Sequence, residues 1–446
     1  MSGQIKFIHT ADLHLGAPLN CGGSPSEELS NIFNQAGYQS LAYIVDTALE
    51  EEVSFLLISG DLYDREARSV KASRFFVEQC KRLEEAKIPV YVISGNHDPL
   101  GDEKQPFSPP DNVHTFSSQE VEIKEFRSEE GRLKARILGQ SYRQKFEERK
   151  MYRSFTAPDT NVPNIGLLHT QLDRQNNRYV PVAQQYLLKK KEITYWALGH
   201  IHQPRIIQKK DPAIIYPGAP QGRQINDLGV RGFYLVTVED QMKLEFKAAS
   251  PVIYKKIDIN LEKITKDKEI ENISDLQQVM KQRAKELLSA ENDDFDKSFK
   301  QNIFQGFVVR WVISGRGSIH QYITEHREEA TQELLRWLNK EFSVRRPFIW
   351  SHSVVFRTGA KLPDISELKE QNEIIKEIEQ LVDEILTEDE LQQQLLDSWG
   401  QVWTEDNDPE EQEVDKFAAD QKTKKELIQE AKDKIFTRLL QRGEFN

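Results

Sequence analysis

Five short apolar runs in this chain each end in side chains able to hold a metal ion, and that repetition limits the fold more than any other feature. The clearest is Ile88-Pro-Val-Tyr-Val-Ile93, which closes in Ser94-Gly95-Asn96-His97-Asp98. A β-branched, aromatic run of this length reads as a buried strand whose carboxyl end turns sharply. Asn96 offers a neutral oxygen donor, His97 a proton acid or base, and Asp98 an orienting acceptor. The same grammar carries residues 5–10 into Asp12 and His14, and residues 53–59 into Gly60-Asp61 and Asp64. It carries residues 165–168 into His169, and residues 194–198 into Gly199-His200-Ile201-His202. In extended geometry residues i and i+2 share a face, so Asp12 with His14, and His200 with His202, can each grip one ion.

Helical periods separate the first three runs. Residues 40–51 present Leu41, Ile44, Val45, Ala48 and Leu49 on one side, and residues 70–85 present Phe75, Phe76, Val77, Cys80 and Leu83. The order βαβαβ places the chain in the α/β class, where open sheets gather their sites at the carboxyl ends of strands. Further strands are expected at 113–116, 121–126, 134–138, 214–216, 232–238 and 244–246, completing a first domain over residues 1–250. Residues 251–363 read as a smaller α+β domain, with strands at 252–259, 306–313 and 348–356 and helices at 274–290 and 320–342. Residues 364–446 read as helical, broken at Asp408-Pro409.

The net charge of −12 argues against a polyanionic partner only until it is divided. Past Pro363 there are 10 Lys and Arg against 24 Asp and Glu, which leaves 50 against 48 for residues 1–363. The acidity therefore belongs to the tail, and the body is compatible with a phosphate-rich substrate. No apolar stretch approaches the roughly 18 residues that a membrane span needs. The opening residues have no charged region followed by an apolar core, and Cys21 and Cys80 form no disulfide framework or C-x-x-C pair. These features lead us to expect a cytoplasmic protein.

Mixed imidazole, carboxylate and amide donors suit Mn²⁺, Fe²⁺ or Zn²⁺. Seven donors exceed the needs of one ion, and a carboxylate shared between two ions serves in-line attack on phosphorus. The ordered set Asp12-x-His14, Gly60-Asp61-x-x-Asp64, Gly95-Asn96-His97-Asp98, His169 and Gly199-His200-x-His202 resembles the calcineurin-like metallophosphoesterases. The words around it, Phe7-Ile-His-Thr-Ala-Asp-Leu-His-Leu-Gly16 and Ile58-Ser-Gly-Asp-Leu-Tyr-Asp64, look like SbcD-type DNA repair exonucleases, closest to the bacterial YhaO-like branch.

The resemblance implies a metallophosphoesterase β-sandwich flanked by helices, followed by the α+β domain as a DNA-recognition cap and by a helical C-terminal region. It implies two divalent ions, most naturally Mn²⁺. Asp12, His14, Asp61 and His202 would hold one, and Asp61, Asn96, His169 and His200 the other. His97 would act on the leaving oxygen with Asp98 orienting its ring, and Asp64 would stand behind the ligands. Arg65, Arg68, Arg174, Arg178 and Arg223 follow these motifs and are candidate contacts to DNA phosphates. The implied function is exonuclease or endonuclease cleavage of DNA in repair. The acidic tail would dock on an SbcC-like coiled-coil ATPase, an assembly with room for a homodimer. A phosphatase or cyclic-nucleotide phosphodiesterase using the same site, and a non-catalytic scaffold of an ATPase complex, stand as alternatives.

Overall fold

The structure, a computed structural model, describes residues 4–64, 69–101, 108–173, 178–210, 212–239, 241–264, 270–290, 303–361 and 373–388, with isolated positions between 390 and 435. In chain order it contains β1 (Ile5–Thr10), α1 (Glu27–Glu50), β2 (Phe55–Ser59), α2 (Val70–Glu85), β3 (Val90–Ile93), β4 (Val113–Thr115), β5 (Glu122–Arg127), β6 (Leu133–Gly139) and β7 (Asn164–His169). Then come α3 (Gln184–Lys189), β8 (Tyr195–Gly199), β9 (Arg205–Gln208), β10 (Ala213–Tyr216), β11 (Gly232–Val238), β12 (Met242–Ala248) and β13 (Val252–Asn260). The remainder is α4 (Leu261–Ile264), α5 (Ile273–Ala290), β14 (Gly306–Arg316), α6 (His320–Glu325), α7 (Arg327–Phe342), β15 (Phe348–Gly359) and α8 (Glu373–Thr387). Two compact units result: residues 1–258 with 277–312 and 328–355, and residues 259–276 with 313–327 and 356–446.

Two mixed six-stranded sheets organise the first unit, ordered β12-β11-β1-β2-β3-β4 and β5-β6-β7-β8-β10-β9. Strands β1 to β4 are parallel neighbours, as are β6, β7, β8 and β10, so the ends that carry the donors fall together. Alternate residues explain the layering. Phe7, Phe55, Leu57, Tyr91 and Ile93 face Ile137, Ile165, Leu167, Tyr195 and Ile215 in a core between the sheets, where the Phe7 and Phe55 rings stack 5.0 Å apart. Ile8, Leu56, Ile58, Val90 and Val92 point the other way, onto α1 and α2 through Leu41, Ile44, Ala48, Phe76, Cys80 and Leu83. Sheets covered on both faces need strands apolar on both faces, and that is why these runs are nearly continuous rather than alternating.

The α/β sandwich with flanking helices, a small three-stranded sheet β13-β14-β15 and C-terminal helices is the architecture the sequence leads one to expect. Local differences remain. Helix α1 begins at Glu27 rather than near residue 40, because Leu29, Phe33 and Ala36 extend the apolar stripe and Ser26 caps the Leu29 amide at 3.3 Å. The helix expected over 320–342 is two helices meeting at His326, and nothing in the side-chain pattern marks that break. Strand β9 went unexpected, being short and half polar. Most of the tail beyond α8 lies outside the described residues.

Candidate metal centre

Parallel β1, β2 and β3 of one sheet and β7 and β8 of the other deliver their carboxyl ends to one place. Asn96 Oδ1 stands 2.9 Å from His169 Nε2 and 3.0 Å from His200 Nδ1. Asp61 Oδ2 lies 3.3 Å from His169 Nε2 and 3.9 Å from His14 Nε2, between two groups of donors. On the far side His14 Nε2 faces His202 Nε2 at 3.2 Å, and Asp12 joins them in a cluster of three. Asp12 also holds this end of the second sheet, since both its oxygens accept from the His200 amide at 3.0 and 3.1 Å. All seven side chains singled out as metal donors thus converge.

Local backbone shape makes this convergence possible. Among the described residues eight non-glycine positions have positive φ, and four of them are Asp12 (53°), His14 (42°), Asp61 (51°) and His200 (97°). A left-handed residue with a side chain costs roughly 1–2 kcal/mol, so strain is concentrated where donors are aimed. Close approach adds a second requirement. A methyl group on Gly95 would run into the Asp61 carboxylate and the His169 ring, and one on Gly199 into the Ser59 carbonyl.

Electrostatics of the cluster match a cation. Burial pushes the Asp12 carboxyl up to about 6. Burial also opposes the charged forms of Asp61 and His169, but their mutual attraction wins: Asp61 is held well below the usual carboxylate range and His169 is raised to about 9. Burial drives His14 and His200 well below the ordinary imidazole value, leaving them neutral, the form a metal takes. Among the described residues His14 Nδ1 is buried without a hydrogen-bond partner, and two imidazole Nε2 atoms confront each other although at most one proton can lie between them. Two buried carboxylates, four imidazoles and an amide oxygen fit a pair of borderline divalent ions.

His97 is half-buried, more open than His14 or Asp61, its side chain 38% accessible, with its ring 4.8 Å from that of His14. Its amide donates to Asp61 Oδ1 at 2.9 Å. The carboxylate within ion-pair reach of the ring is that of Asp64, 3.7 Å from Nδ1, and Asp64 in turn pairs with Arg223 Nη2 at 2.9 Å. Asp98 is engaged otherwise. Its Oδ1 accepts from the Gly95 amide at 2.8 Å and its Oδ2 from the Tyr63 amide at 3.1 Å, so it braces the turn rather than the ring. Of the candidate DNA contacts, Arg223 sits beside this group, exposed Arg178 lies over the Phe146 ring, and Arg65, Arg68 and Arg174 fall outside the described residues.

Three supports have no sequence signature. Asp227 Oδ1 lies 3.6 Å from His202 Nδ1, and buried Arg231 donates to the His202 carbonyl. His169 Nδ1 donates to the Ser59 carbonyl at 2.9 Å, while Ser59 Oγ meets His9 Nε2 at 3.1 Å and His9 Nδ1 meets the Tyr195 hydroxyl at 2.9 Å. Tyr142 donates to the His169 carbonyl at 2.9 Å. The contacts at Nδ1 of His202 and His169 fix which imidazole nitrogen faces a metal, and the bonds to their carbonyls hold the backbone behind them.

Residues 5–204 match the calcineurin-like phosphoesterases. The uncharacterized metallophosphoesterase YhaO of Bacillus subtilis is 34% identical over 353 residues, 76% of this chain and 81% of that protein. The chain belongs to the calcineurin-like metallophosphoesterases, with a metal-binding site of the kind described above. Its relation to YhaO-like proteins is nearer than its relation to a second group, the DNA double-strand break repair proteins Mre11. The Mre11 of Archaeoglobus fulgidus is 26% identical over 235 residues, and that of Methanocaldococcus jannaschii 27% over 243. The matches cover 48% and 52% of this chain, and the chain spans only 50% and 62% of those two proteins. Among the described residues no helix is long and apolar enough to cross a membrane.

Proposed function

We propose that the protein is a cytoplasmic, Mn²⁺-preferring, two-metal phosphodiesterase that hydrolyses DNA, acting as a repair nuclease of the SbcD type. The observation that carries this reading is Asp61, whose Oδ2 lies within 3.3 Å of His169 and 3.9 Å of His14 and so belongs to both donor groups. Two ions bound there would activate water and neutralise charge growing on the phosphoryl oxygens. Asp12, His14, Asp61 and His202 would hold one, and Asp61, Asn96, His169 and His200 the other.

The chain's own contribution to the chemistry is His97. Asp64, 3.7 Å from Nδ1, would orient the ring, and a proton carried on Nε2 would pass to the leaving oxygen. Arg223, paired with Asp64, presents a cation to the substrate phosphate next to His97. DNA as substrate is supported by the likeness to Mre11, a DNA double-strand break repair protein, and is compatible with the near-neutral charge of residues 1–363. Residues 251–363 serve as a DNA-recognition domain in this reading, and residues 364–446 dock on an SbcC-like ATPase. Exposed Ile374 and Leu381, one heptad apart on α8 and 52% and 54% accessible, favour a protein contact for that segment over a DNA contact.

The test is incubation of the purified chain with labelled linear duplex, single-stranded DNA, a chromogenic diester and a chromogenic monoester under Mn²⁺. Cleavage of DNA and diester, abolished by a chelator, is expected. Turnover of the monoester alone would overturn the nuclease reading in favour of a phosphatase, and no turnover with tight metal binding would favour a scaffold.

A further inference from the structure

We infer that Phe146 and Tyr179 form a stacking platform for the nucleobase next to the scissile phosphate. The inference rests on the proposed DNA phosphodiesterase and adds which part of the substrate is gripped. Tyr179 abuts the centre directly: its ring lies 4.8 Å from that of His200 with the planes 34° apart. Phe146 follows 6.0 Å beyond Tyr179, tilted by 45°, and is 39% exposed. Two cations crown the same ring, the Arg178 guanidinium at 5.4 Å and Lys145 Nζ at 5.7 Å. Beside it opens a cavity of about 440 Å³ lined by Arg143, Gln144, Phe146, Glu147, Glu148 and Arg149, within the range of small-ligand sites.

The platform is held rigid from below. The Glu147 amide donates to the Arg178 carbonyl at 2.7 Å, and the Val180 amide returns the bond to the Glu147 carbonyl at 2.6 Å. Thr170 Oγ1 adds a third tie to the Val180 carbonyl at 2.6 Å. Buried Glu147 spends its charge on Arg149, accepting from Nε at 2.7 Å and Nη2 at 2.6 Å. Among the described residues that line or border the cavity, exposed Arg143, Lys145 and Arg178 outnumber exposed Glu148 and leave the face cationic. Aromatic rings among cations, leading stepwise away from a phosphate-cleaving centre, suit a base stacked on Phe146 with its backbone drawn along the basic rim. Stacking tolerates any base, so the site favours nucleic acid over base-free diesters without reading sequence.

The experiment uses the full chain with Mn²⁺ and single-stranded oligonucleotides in which one abasic residue is stepped through the positions flanking the cleaved bond. At one position removal of the base should raise KM about 5- to 100-fold, the range for one base–aromatic stack. Phe146→Ala and Tyr179→Leu should bring that ratio towards one, and Phe146→Trp should retain it. A wild-type enzyme that cuts DNA with no such position, or a Phe146→Ala ratio equal to wild type, overturns the platform. A second readout needs neither metal nor turnover: the fluorescence of the Phe146→Trp protein, read against wild type, should be quenched by oligothymidylate and not by an abasic oligomer of equal length. Quenching without DNA cleavage would sink the nuclease reading alone, and cleavage without quenching would sink the platform alone.

Discussion

Asp227 Oδ1 lies 3.6 Å from Nδ1 of His202, on the side of the ring opposite the Nε2 that faces His14. Burial opposes charge on Asp227, but the His202 ring and Arg231 outweigh it and hold the carboxyl at about 2. A fixed anion at Nδ1 keeps the proton there and leaves Nε2 free for a metal. Asp227→Asn should weaken one of two Mn²⁺ binding events by about 10- to 100-fold, the usual cost of losing such a support, and leave the other near wild type. Two equally weakened sites in titration calorimetry would count against this pairing.

Asp61 should behave differently from every other donor. Because it reaches both groups, Asp61→Ala is expected to abolish both binding events, whereas His14→Ala weakens mainly one. Metal analysis at saturating Mn²⁺ checks this, and an Asp61→Ala protein that still binds two ions refutes the shared carboxylate.

Chemistry separates from metal binding at His97. His97→Ala should keep its Mn²⁺ and its fold yet lose roughly 10²–10⁴-fold in rate, the range for a general acid. Loss of metal in that variant would make His97 a ligand instead, and a rate near wild type would remove it from the reaction.

Metal affinity should rise with pH. In the metal-free protein His169 is raised to about 9 by Asp61 and Asp12 against the effect of burial, and burial raises Asp12 to about 6. An ion takes only the unprotonated imidazole and carboxylate, so binding below those values must displace protons. Affinity should tighten up to about tenfold per pH unit for each proton displaced, most steeply below about pH 6, where both groups carry protons, by one proton's worth between about pH 6 and 9, where only His169 does, and level off above. Calorimetry in buffers of different ionisation enthalpy reads the protons directly, and affinity flat across that window contradicts the assignment.

How much of this was legible in the sequence depends on range. Each metal donor closes its own apolar run, so Asp12, Asp61, Asn96, His169 and His200 announce themselves locally, and the opening βαβαβ succession follows from the alternation of runs and helical faces. Asp227 does not: it sits in a polar turn, and only the fold brings it to His202. The same holds for His9, which looks like part of a strand and becomes a buried link between Ser59 and Tyr195. Asp98 shows the reverse case. Adjacency in sequence suggested that it orients His97, but a tight turn needs its own amides satisfied, and the carboxylate nearest the ring comes from Asp64, one strand away.

The four left-handed donors carry one more consequence. Backbone strain at Asp12, His14, Asp61 and His200 is borne before any ion arrives, so the empty protein is less stable than its packing alone would make it. Glycine at any of these positions relieves the strain and erases a donor in the same stroke. Function and thermal tolerance therefore pull in opposite directions at these four residues, and a screen for heat resistance run without metal should select against the catalytic centre.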